Sequence, residues 1–379
     1  MVAKIGAKTM RSEVTNAKRI VIKVGSSSLT GSAGAGLDSA AVDRLVDAVA
    51  SARDRKIDVL VVTSGAIAAG LAPLGLKSRP KELELQQAAA SVGQGLLMYR
   101  YTESFARYSI TASQVLLTSE DIVRRSHYRN AQRTLERLLS LGVVPVINEN
   151  DTVGTSEIRF GDNDRLAALV AHLVQADLLI LLSDIDALYD APPHSANAKK
   201  IPEVSDFAAL AEANFGGAGS SGVGSGGMTT KVEAARIATS AGTAVVLTSL
   251  EHVQGAIDGA DIGTIFHAGS HRAPSRALWI AHASSPKGAL TLDAGATVAI
   301  TERGTSLLAA GVTAVTGDFA AGDVVNLVSP QNKVIARGLV AFDSDEIPQL
   351  LGKSTKELAA KFGAEYDREL VHRDDLTLV

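Results

Sequence analysis

The sequence contains no cysteine. This absence excludes a disulfide framework, thiolate catalysis, and zinc or iron–sulfur sites built on cysteine ligands. It is also typical of a reducing compartment, so we expect a cytoplasmic protein.

Long apolar runs and a large charge excess are missing as well. No apolar run is long enough to span a bilayer, and residues 1–19 lack the apolar core of a signal peptide, so we expect a disordered lead-in and no membrane partner. The net charge of −4 argues against a protein that coats nucleic acid. We therefore expect a soluble protein.

The chain has 379 residues, 46% of them hydrophobic, which predicts at least one full core and two domains. Over most of its length, short apolar runs alternate with helical patterns. Strands are predicted at residues 19–24, 57–62, 110–117, 143–148, 178–182 and 244–247, and helices at residues 38–55, 80–108 and 163–175. In the second helix, Gly93 and Gly95 lower the helix propensity of the middle. This alternation predicts an α/β fold with a mainly parallel central sheet flanked by helices on both faces.

The pattern changes after about Gly269. From Gly288 the chain reads GALTLDAGATVAI, GVTAVTGDFAAGDVVNLVSP and NKVIARGLVAF. Short alternating strands between Gly, Asp and Pro turns indicate a small antiparallel β barrel or sandwich. We expect a first domain at residues 1–270, a linker at 271–287 and a second domain at 288–379.

Residues 216–231, GGAGSSGVGSGGMTTK, form the most distinctive stretch. Glycines expose backbone N–H groups and allow close approach, and the helix predicted to follow offers its positive end, so the pattern indicates a phosphate cradle with Lys231 at its end. A flexible interdomain linker is the alternative. The abrupt stop at a helix-forming run favours the cradle. Met228 follows Gly227 where a Walker A motif requires lysine, so the cradle is of another type.

Polar residues follow the predicted strands, where an open parallel sheet binds its ligands. Lys23 interrupts an apolar strand and either extends its charge to solvent or faces a phosphate; the neighbouring Gly25 and serines favour the phosphate. Asp162, Asn163 and Asp164 open a helix, and three such side chains exceed what one N-cap needs. Phosphoryl transfer depends on positioning and positive charge, and Asp164 is the candidate that would hold Lys23 and Lys231 apart.

Two further patterns do not indicate sites. Gly352-Lys353-Ser354-Thr355 resembles the end of a Walker A motif but follows no strand and lacks the first glycine. His267 and His271 have helical ligand spacing but flank a loop-like Ala-Gly-Ser, without a third ligand nearby. We expect no protein-built metal site.

Several long motifs occur in a fixed order: IVIKVGSS, VVTSGAIAAG, QAAASVGQ, VPVINENDTV, IRFGDNDRLAAL, LLSDIDALY and GSGGMTTK. With them, nearly the whole chain resembles the amino acid kinase family, and the tail ending in VHRDDL resembles a PUA domain. The resemblance implies transfer of the γ-phosphate of ATP to the side-chain carboxylate of L-glutamate, the first step of proline synthesis. It also implies Mg²⁺, held mainly by phosphate oxygens, a homo-oligomer (dimer or tetramer) and feedback inhibition by proline.

The resemblance assigns roles to particular residues. Lys23, Lys231 and Asp164 would be catalytic, and Ser64, Asp151, Asn163 and the nearby Asn148 would bind glutamate. The nucleotide would be bound by Lys23, Ser183, Asp184, Ser225, Gly226, Gly227, Met228, Thr229, Thr230 and Lys231. The family usually has threonine at the positions of Ser183 and Ser225, and serine keeps the hydroxyl.

Two alternatives stay open. The first is a family member with another acceptor, such as aspartate or acetylglutamate. The second is an RNA-binding protein that acts through the PUA-like tail. The tail from Gly288 to Val379 has eight Lys and Arg against thirteen Asp and Glu, a net charge of −5, which argues against nucleic acid as a partner.

Overall fold

The computed structural model describes residues 12–30, 36–118, 121–122, 125–153, 163–193, 195, 197–210, 227–269, 280 and 286–378, with the backbone alone at 125, 126, 208 and 209. The chain divides into two compact units, Met1–Arg272 and Ala273–Val379. Of the linker predicted for residues 271–287, only residues 280, 286 and 287 are described.

The first unit is built on an eight-stranded sheet with the order β3-β4-β2-β1-β5-β9-β10-β8. The strands of the unit are β1 Arg19–Val24, β2 Asp58–Thr63, β3 Ala112–Leu117, β4 Val144–Glu149, β5 Leu178–Ser183, β6 Leu188–Tyr189, β7 Lys200–Ile201, β8 Glu203–Val204, β9 Ala244–Ser249 and β10 Thr264–Phe266. Neighbouring strands pair in parallel except β9 and β10, and β6 and β7 form a separate antiparallel pair. The predicted, mainly parallel sheet is confirmed.

Helices connect the strands. Those described in this unit are α1 Ser26–Leu29, α2 Ser39–Asp54, α3 Ala66–Leu71, α4 Leu83–Ala106, α5 Arg125–Ser140, α6 Asn163–Leu173, α7 Met228–Ser240 and α8 Val253–Asp258. Asp38 starts α2 because its carboxylate accepts hydrogen bonds from the N–H groups of Ala40 and Ala41. Buried apolar residues recur at helical spacing along α2 and fix the face that packs on the sheet.

The alternation along β1 sends its side chains to two faces. Ile20, Ile22 and Val24 join a core that also contains residues of α2, α4 and α8. Helix α6 contributes no residue to that core but packs against β1, on the other face of the sheet. Helices therefore cover both faces, and Lys23 projects to the face opposite to that of Ile22 and Val24. The central strands are almost wholly buried, and each buried Val, Leu or Ile contributes about 1.5–3 kcal/mol.

The pairing register brings the carboxyl ends of the central strands together. Val24 lies opposite Thr63 of β2 on one side and opposite Leu182 of β5 on the other. The N–H of Ser64 donates to the carbonyl of Val24 at 3.1 Å, which ties the ends of β1 and β2. Gly65 then turns the chain into α3 with a φ of 105°, a conformation that favours glycine.

Helices α3 and α4 touch backbone to backbone. A Cβ built on Gly70 would lie 1.9 Å from the carbonyl oxygen of Ala89, and one on Gly93 would lie 1.8 Å from the carbonyl oxygen of Ala66. Helix α4 runs without interruption through Gly93 and Gly95. Packing against α3, not a break in the helix, accounts for Gly93.

The second unit contains a five-stranded sheet with the order β12-β11-β13-β14-β15. Its described elements are β11 Gly288–Leu292, β12 Val312–Gly317, β13 Val324–Val328, β14 Val334–Leu339, β15 Leu376–Leu378, α9 Ala294–Arg303, α10 Ile347–Leu350 and α11 Thr355–Phe362. All pairs are antiparallel except β11 with β13. The predicted antiparallel pairing therefore holds for three of the four strand pairs and is wrong for β11 with β13.

The prediction of strand for the segment GATVAI is also wrong, because this segment lies in α9. The carboxylate of Asp293 accepts a hydrogen bond from the N–H of Ala296 at 2.6 Å and caps the helix. Ile300 is buried in the core of the unit. The cap and this packing outweigh the β propensity of Thr297 and Val298.

Among the residues that the structure describes, no helix combines the length and apolar character needed to cross a membrane.

Candidate active site

Asp164 lies between two lysines that come from distant parts of the chain. Its Oδ1 is 2.6 Å from Nζ of Lys23, and its Oδ2 is 3.1 Å from Nζ of Lys231. The side chains are 3% exposed for Asp164, 5% for Lys23 and 10% for Lys231. One carboxylate thus fixes two ammonium groups that would otherwise repel each other, and the group keeps a net positive charge of one.

Three elements position this group. Lys23 is near the end of β1, on the face that α6 covers, and Asp164 is in the first turn of α6. Lys231 is in the first turn of α7, which packs along α6. Burial by itself would raise the pKa of Asp164, but the charges of Lys23 and Lys231 and their hydrogen bonds hold this pKa well below its usual range. The carboxylate therefore stays ionised.

Residues of the predicted phosphate cradle reach the same group. Oγ1 of Thr230 is 3.0 Å from Oδ2 of Asp164 and 2.8 Å from the carbonyl oxygen of Gly227. The Thr230 hydroxyl has one proton, so it donates to only one of these two oxygens at a time. Gly227 is the N-cap of α7 and supplies no side-chain cap, which suits an anion site at the first N–H groups of α7, those of Met228 and Thr229. Ser225 and Gly226, and the rest of the cradle from residue 216, lie outside the described residues.

Ser183 and Asp184 lie at the carboxyl end of β5, the strand next to β1. The Ser183 hydroxyl donates to Oδ1 of Asp184 at 3.0 Å. Ser183 is buried, whereas Asp184 is exposed at the edge of the sheet. The two residues are therefore on the same edge as Lys23.

Ser64, Asn148 and Asn163 form a second hydrogen-bonded group. Nδ2 of Asn163 donates to Oγ of Ser64 at 2.9 Å and lies 3.3 Å from Oδ1 of Asn148. These residues follow β2, end β4 and begin α6, and Asn163 precedes Asp164 directly. The structure thus joins three of the four predicted glutamate-binding residues to the charged group through consecutive residues of α6.

Asp151 lies just beyond β4 in a partly buried position. Burial raises its pKa to about 6, against the opposing effect of the positive charge of Arg79. Burial in turn lowers the pKa of Arg79, and Asp151 counteracts this. Nε and one terminal nitrogen of Arg79 lie 3.3 and 3.2 Å from Oε1 of Gln86.

Two residues near the site, Gln94 and Arg79, were not predicted from the sequence. Gln94 is hydrogen-bonded to Asn148 at 2.8 Å, and the charge of Arg79 acts on Asp151. Thr230 was predicted to bind the nucleotide, but its contact with Asp164 was not predicted. Gln94 is the last residue of the QAAASVGQ motif, which indicated that this segment is characteristic of the family but did not single out Gln94. No sequence signal singles out Arg79, because its loop carries no recognisable pattern.

The Walker A-like segment and the histidine pair have structural explanations where they are described. Ser354 and Glu357 form a reciprocal capping box at the start of α11. The ring of His267 lies between carboxylates of Glu13 and Glu203, at 3.3 and 3.0 Å, and His271 lies outside the described residues. Within the described ranges, no group of three or more His, Cys, Asp or Glu side chains could hold a metal ion.

The family model described as the amino acid kinase family matches residues 18–249, which include both hydrogen-bonded groups. The chain belongs to the amino acid kinase family. A second model, the PUA domain, matches residues 288–362.

Three similar proteins share one name. The protein named glutamate 5-kinase of Streptomyces coelicolor is 59% identical over 369 residues, which are 97% of this chain and 98% of that protein. The proteins of the same name from Streptomyces avermitilis and Salinispora arenicola are 59% and 57% identical over 370 residues, which cover 97% and 98% of this chain and 98% and 100% of those proteins.

A solved structure supports the fold. Carbamate kinase from Giardia lamblia, bound to AMP-PNP, aligns with a TM-score of 0.51 at 17% identity and covers 67% of this chain and 100% of its own. At that identity the likeness concerns the fold alone. The predicted amino acid kinase fold and the PUA domain are confirmed.

Proposed function

We propose that this chain is a glutamate 5-kinase, which transfers the γ-phosphate of ATP to the side-chain carboxylate of L-glutamate. The product is L-glutamyl 5-phosphate, and the reaction is the first step of proline biosynthesis. The observation that carries the proposal is the pair of lysines bound to opposite oxygens of Asp164 at the carboxyl edge of the sheet. The name shared by relatives at 57–59% identity over nearly the whole chain supports the choice of acceptor.

In the proposed reaction, a carboxylate oxygen of glutamate attacks the γ-phosphorus of ATP. A bond forms between that oxygen and phosphorus, the bond from phosphorus to the β–γ bridging oxygen breaks, and ADP leaves. Negative charge spreads over the phosphoryl oxygens in the transition state. Lys23 and Lys231 are preorganised in a buried site, where their charges stabilise this state more strongly than they would in water.

No general base is needed for this acceptor. The side-chain carboxyl of glutamate has a pKa of about 4.3 and is ionised at neutral pH, so the nucleophile carries no proton to remove. Asp164 accordingly acts as an organiser, since both of its oxygens bind lysines and its pKa is lowered. Its role is to set the distance between Lys23 and Lys231.

On the nucleotide side, we assign ATP binding to the start of α7 and to the end of β5. Gly227, Met228, Thr229 and Thr230 would present N–H and hydroxyl groups to the phosphates, together with Ser225 and Gly226. Ser183 and Asp184 flank Lys23 on the next strand and would contact the rest of the nucleotide.

On the acceptor side, we assign glutamate binding to Ser64, Asn148, Asp151 and Asn163. An ionised Asp151 would pair with the α-ammonium group of glutamate. The hydroxyl of Ser64 accepts from Asn163 and keeps its own proton for a substrate oxygen. The hydrogen-bonded group next to Asp164 would then direct the side-chain carboxylate toward the two lysines.

Mg²⁺ fits this site as a companion of ATP. Because the described residues offer no three-ligand group, we propose that phosphate oxygens hold most of its coordination sphere, as its reluctance to lose water favours. When bound, Mg²⁺ would neutralise phosphate charge. Among the described residues beside the nucleotide site, Asp184 has an exposed carboxylate, which would bind Mg²⁺ directly or through its water shell.

Four further properties belong to the proposal. They are a cytoplasmic location, a homo-oligomer (dimer or tetramer), feedback inhibition by proline, and domain boundaries at residues 1–270, 271–287 and 288–379.

A substrate screen tests the function. ADP release by the purified chain is measured with MgATP and, in turn, glutamate, aspartate, acetylglutamate and carbamate, with and without proline. We expect kcat/KM to be highest with glutamate. Equal or better turnover of another acceptor would overturn the assignment, and unchanged glutamate turnover in the presence of proline would remove the feedback claim.

A further inference from the structure

Gln94 of α4 is hydrogen-bonded to Asn148 of the proposed acceptor site but is not among the residues assigned to glutamate binding. Its Oε1 accepts a hydrogen bond from Nδ2 of Asn148 at 2.8 Å. Its Nε2 is buried and has no hydrogen-bond partner among the residues described. A buried donor without a partner costs about 1–3 kcal/mol, so an unused donor beside a binding site points to a ligand acceptor.

A backbone group fixes which amide atom is which. The N–H of Glu149 donates to Oδ1 of Asn148 at 2.9 Å, and a backbone N–H can only donate. Nδ2 of Asn148 is therefore the atom that faces Gln94, and the facing atom of Gln94 must be oxygen. It follows that Gln94 turns its NH₂ group away from Asn148.

The acceptor atom of Asn148 also fixes the orientation of the Asn163 amide. Because Oδ1 of Asn148 is an acceptor, the atom of Asn163 at 3.3 Å from it is Nδ2, which also donates to Ser64. Oδ1 of Asn163 is then left buried without a partner in the described part of the chain. The group Gln94–Asn148–Asn163–Ser64 thus offers unused donors at Gln94 and Ser64 and an unused acceptor at Asn163.

These unused atoms match the groups of an amino acid that has two carboxylates. Carboxylate oxygens accept hydrogen bonds, and an ammonium group donates them. We propose that Gln94 is a substrate-binding residue whose Nε2–H donates to a carboxylate oxygen of the acceptor amino acid while its Oε1 fixes the amide of Asn148. This inference rests on the proposed function and adds a residue to it.

The packing of α4 supports a positioning role. Gly93, which precedes Gln94, lies against the carbonyl of Ala66 in α3, and α3 begins directly after Ser64 and Gly65. The backbone contact therefore fixes Gln94 relative to the turn that carries Ser64. A side chain on a helix locked in this way loses little conformational freedom on binding substrate.

Two substitutions separate the two contacts of Gln94. Gln94→Glu keeps an oxygen for Nδ2 of Asn148 and replaces the free NH₂ donor with a second oxygen. Gln94→Leu removes both contacts. Steady-state kinetics for glutamate and ATP are measured for both variants, and Gln349→Glu serves as the control because it makes the same change at an exposed position in the second unit. Thermal unfolding checks that each variant is folded.

We expect Gln94→Glu to raise the KM for glutamate at least tenfold, with the KM for ATP within twofold of wild type. The effect should shrink as the pH falls toward 5, because protonation of the new carboxyl restores a donor. Gln94→Leu should raise the glutamate KM as well, and it decides the question if Gln94→Glu does not fold. A Gln94→Glu variant with a glutamate KM within twofold of wild type would show that the residue only supports Asn148, which overturns the inference.

Failure of the proposed function would look different. Wild-type protein that releases no ADP with glutamate would refute the assignment of the reaction, whatever the variants do. Wild-type protein that is active on glutamate, with Gln94 variants that match it, would refute the role of Gln94 alone.

Discussion

Nζ of Lys23 lies 2.6 Å from Oδ1 of Asp164, and both side chains are almost wholly buried. Such an ion pair gains little stability over an apolar pair, because desolvating two charges offsets most of their attraction. Its retention in a buried site at the edge of the sheet is better explained by the chemistry that an oriented ammonium group supplies.

The first prediction concerns Lys23 and Lys231. Replacing either with alanine removes a preorganised charge, so we expect kcat to fall by about a hundredfold or more. Lys18→Ala is the matched control, because Lys18 is exposed and precedes the opposite end of β1. The measurement is ADP release at saturating glutamate and ATP. An unchanged kcat in either active-site variant would refute the role of that lysine.

The second prediction concerns stability at Asp164. Asp164→Ala leaves two buried lysines without their counter-charge, and removing one partner of a buried pair costs about 3–5 kcal/mol. We expect a larger loss of unfolding free energy than in Lys231→Ala, where Lys23 still neutralises the carboxylate. Urea unfolding of the two variants measures the difference. A smaller loss in Asp164→Ala would mean that the carboxylate is not the organiser.

The third prediction is a pH dependence that arises at Asp151. Its pKa is raised to about 6, so the carboxyl is neutral below that pH and ionised above it. Only the ionised form pairs with the ammonium group of glutamate, which does not itself titrate in this range. We expect kcat/KM for glutamate to rise with pH up to about 6 and then level off.

Asp151→Asn shows whether the rise in kcat/KM near pH 6 comes from Asp151 or from the titration of ATP. Both proteins are assayed at saturating ATP. The variant should have a higher KM for glutamate at neutral pH and should lose the rise near pH 6, with the KM for ATP unaffected. If only the KM for ATP changes, Asp151 belongs to the nucleotide side.

The sequence was sufficient for the features that are local. Lys23 in an apolar strand, the polar residues after each strand, and Asp164 at a helix start were all recognisable because one strand or one turn determines them. The residue that each of them contacts could not be recognised from the sequence. The role of Gln94 depends on how α4 crosses α3, and the Asp151–Arg79 interaction depends on a loop without a pattern. In the second unit, Asp293 was a local signal for the start of a helix, but the alternation of apolar residues after it favoured a strand.

The fourth prediction concerns the second unit. Its acidic excess, a net charge of −5 over Gly288–Val379, is unfavourable for a surface that follows phosphates. We expect the full chain to show no salt-sensitive, submicromolar binding to single-stranded or duplex RNA. Titration at two salt concentrations measures this. Binding that weakens steeply with salt would restore RNA as a partner.

The last prediction concerns Gly93 and Gly95, which are two positions apart on α4. A Cβ on Gly93 would lie 1.8 Å from the carbonyl oxygen of Ala66 and 2.5 Å from the backbone nitrogen of Gly70, whereas nothing lies within 4 Å of a Cβ on Gly95. Gly93→Ala must therefore separate two helix backbones, and we expect it to cost about 3 kcal/mol or more. Gly95→Ala is the matched control and should stabilise the helix by about 0.5–1 kcal/mol.

Chemical denaturation gives both values, and kinetics extends the test to the site. Separating α3 from α4 moves Gln94 away from the turn at Ser64, so any folded Gly93→Ala protein should have a raised KM for glutamate while Gly95→Ala keeps the wild-type value. If the two variants were equally stable and equally active, the backbone contact between α3 and α4 would not be what positions the acceptor site.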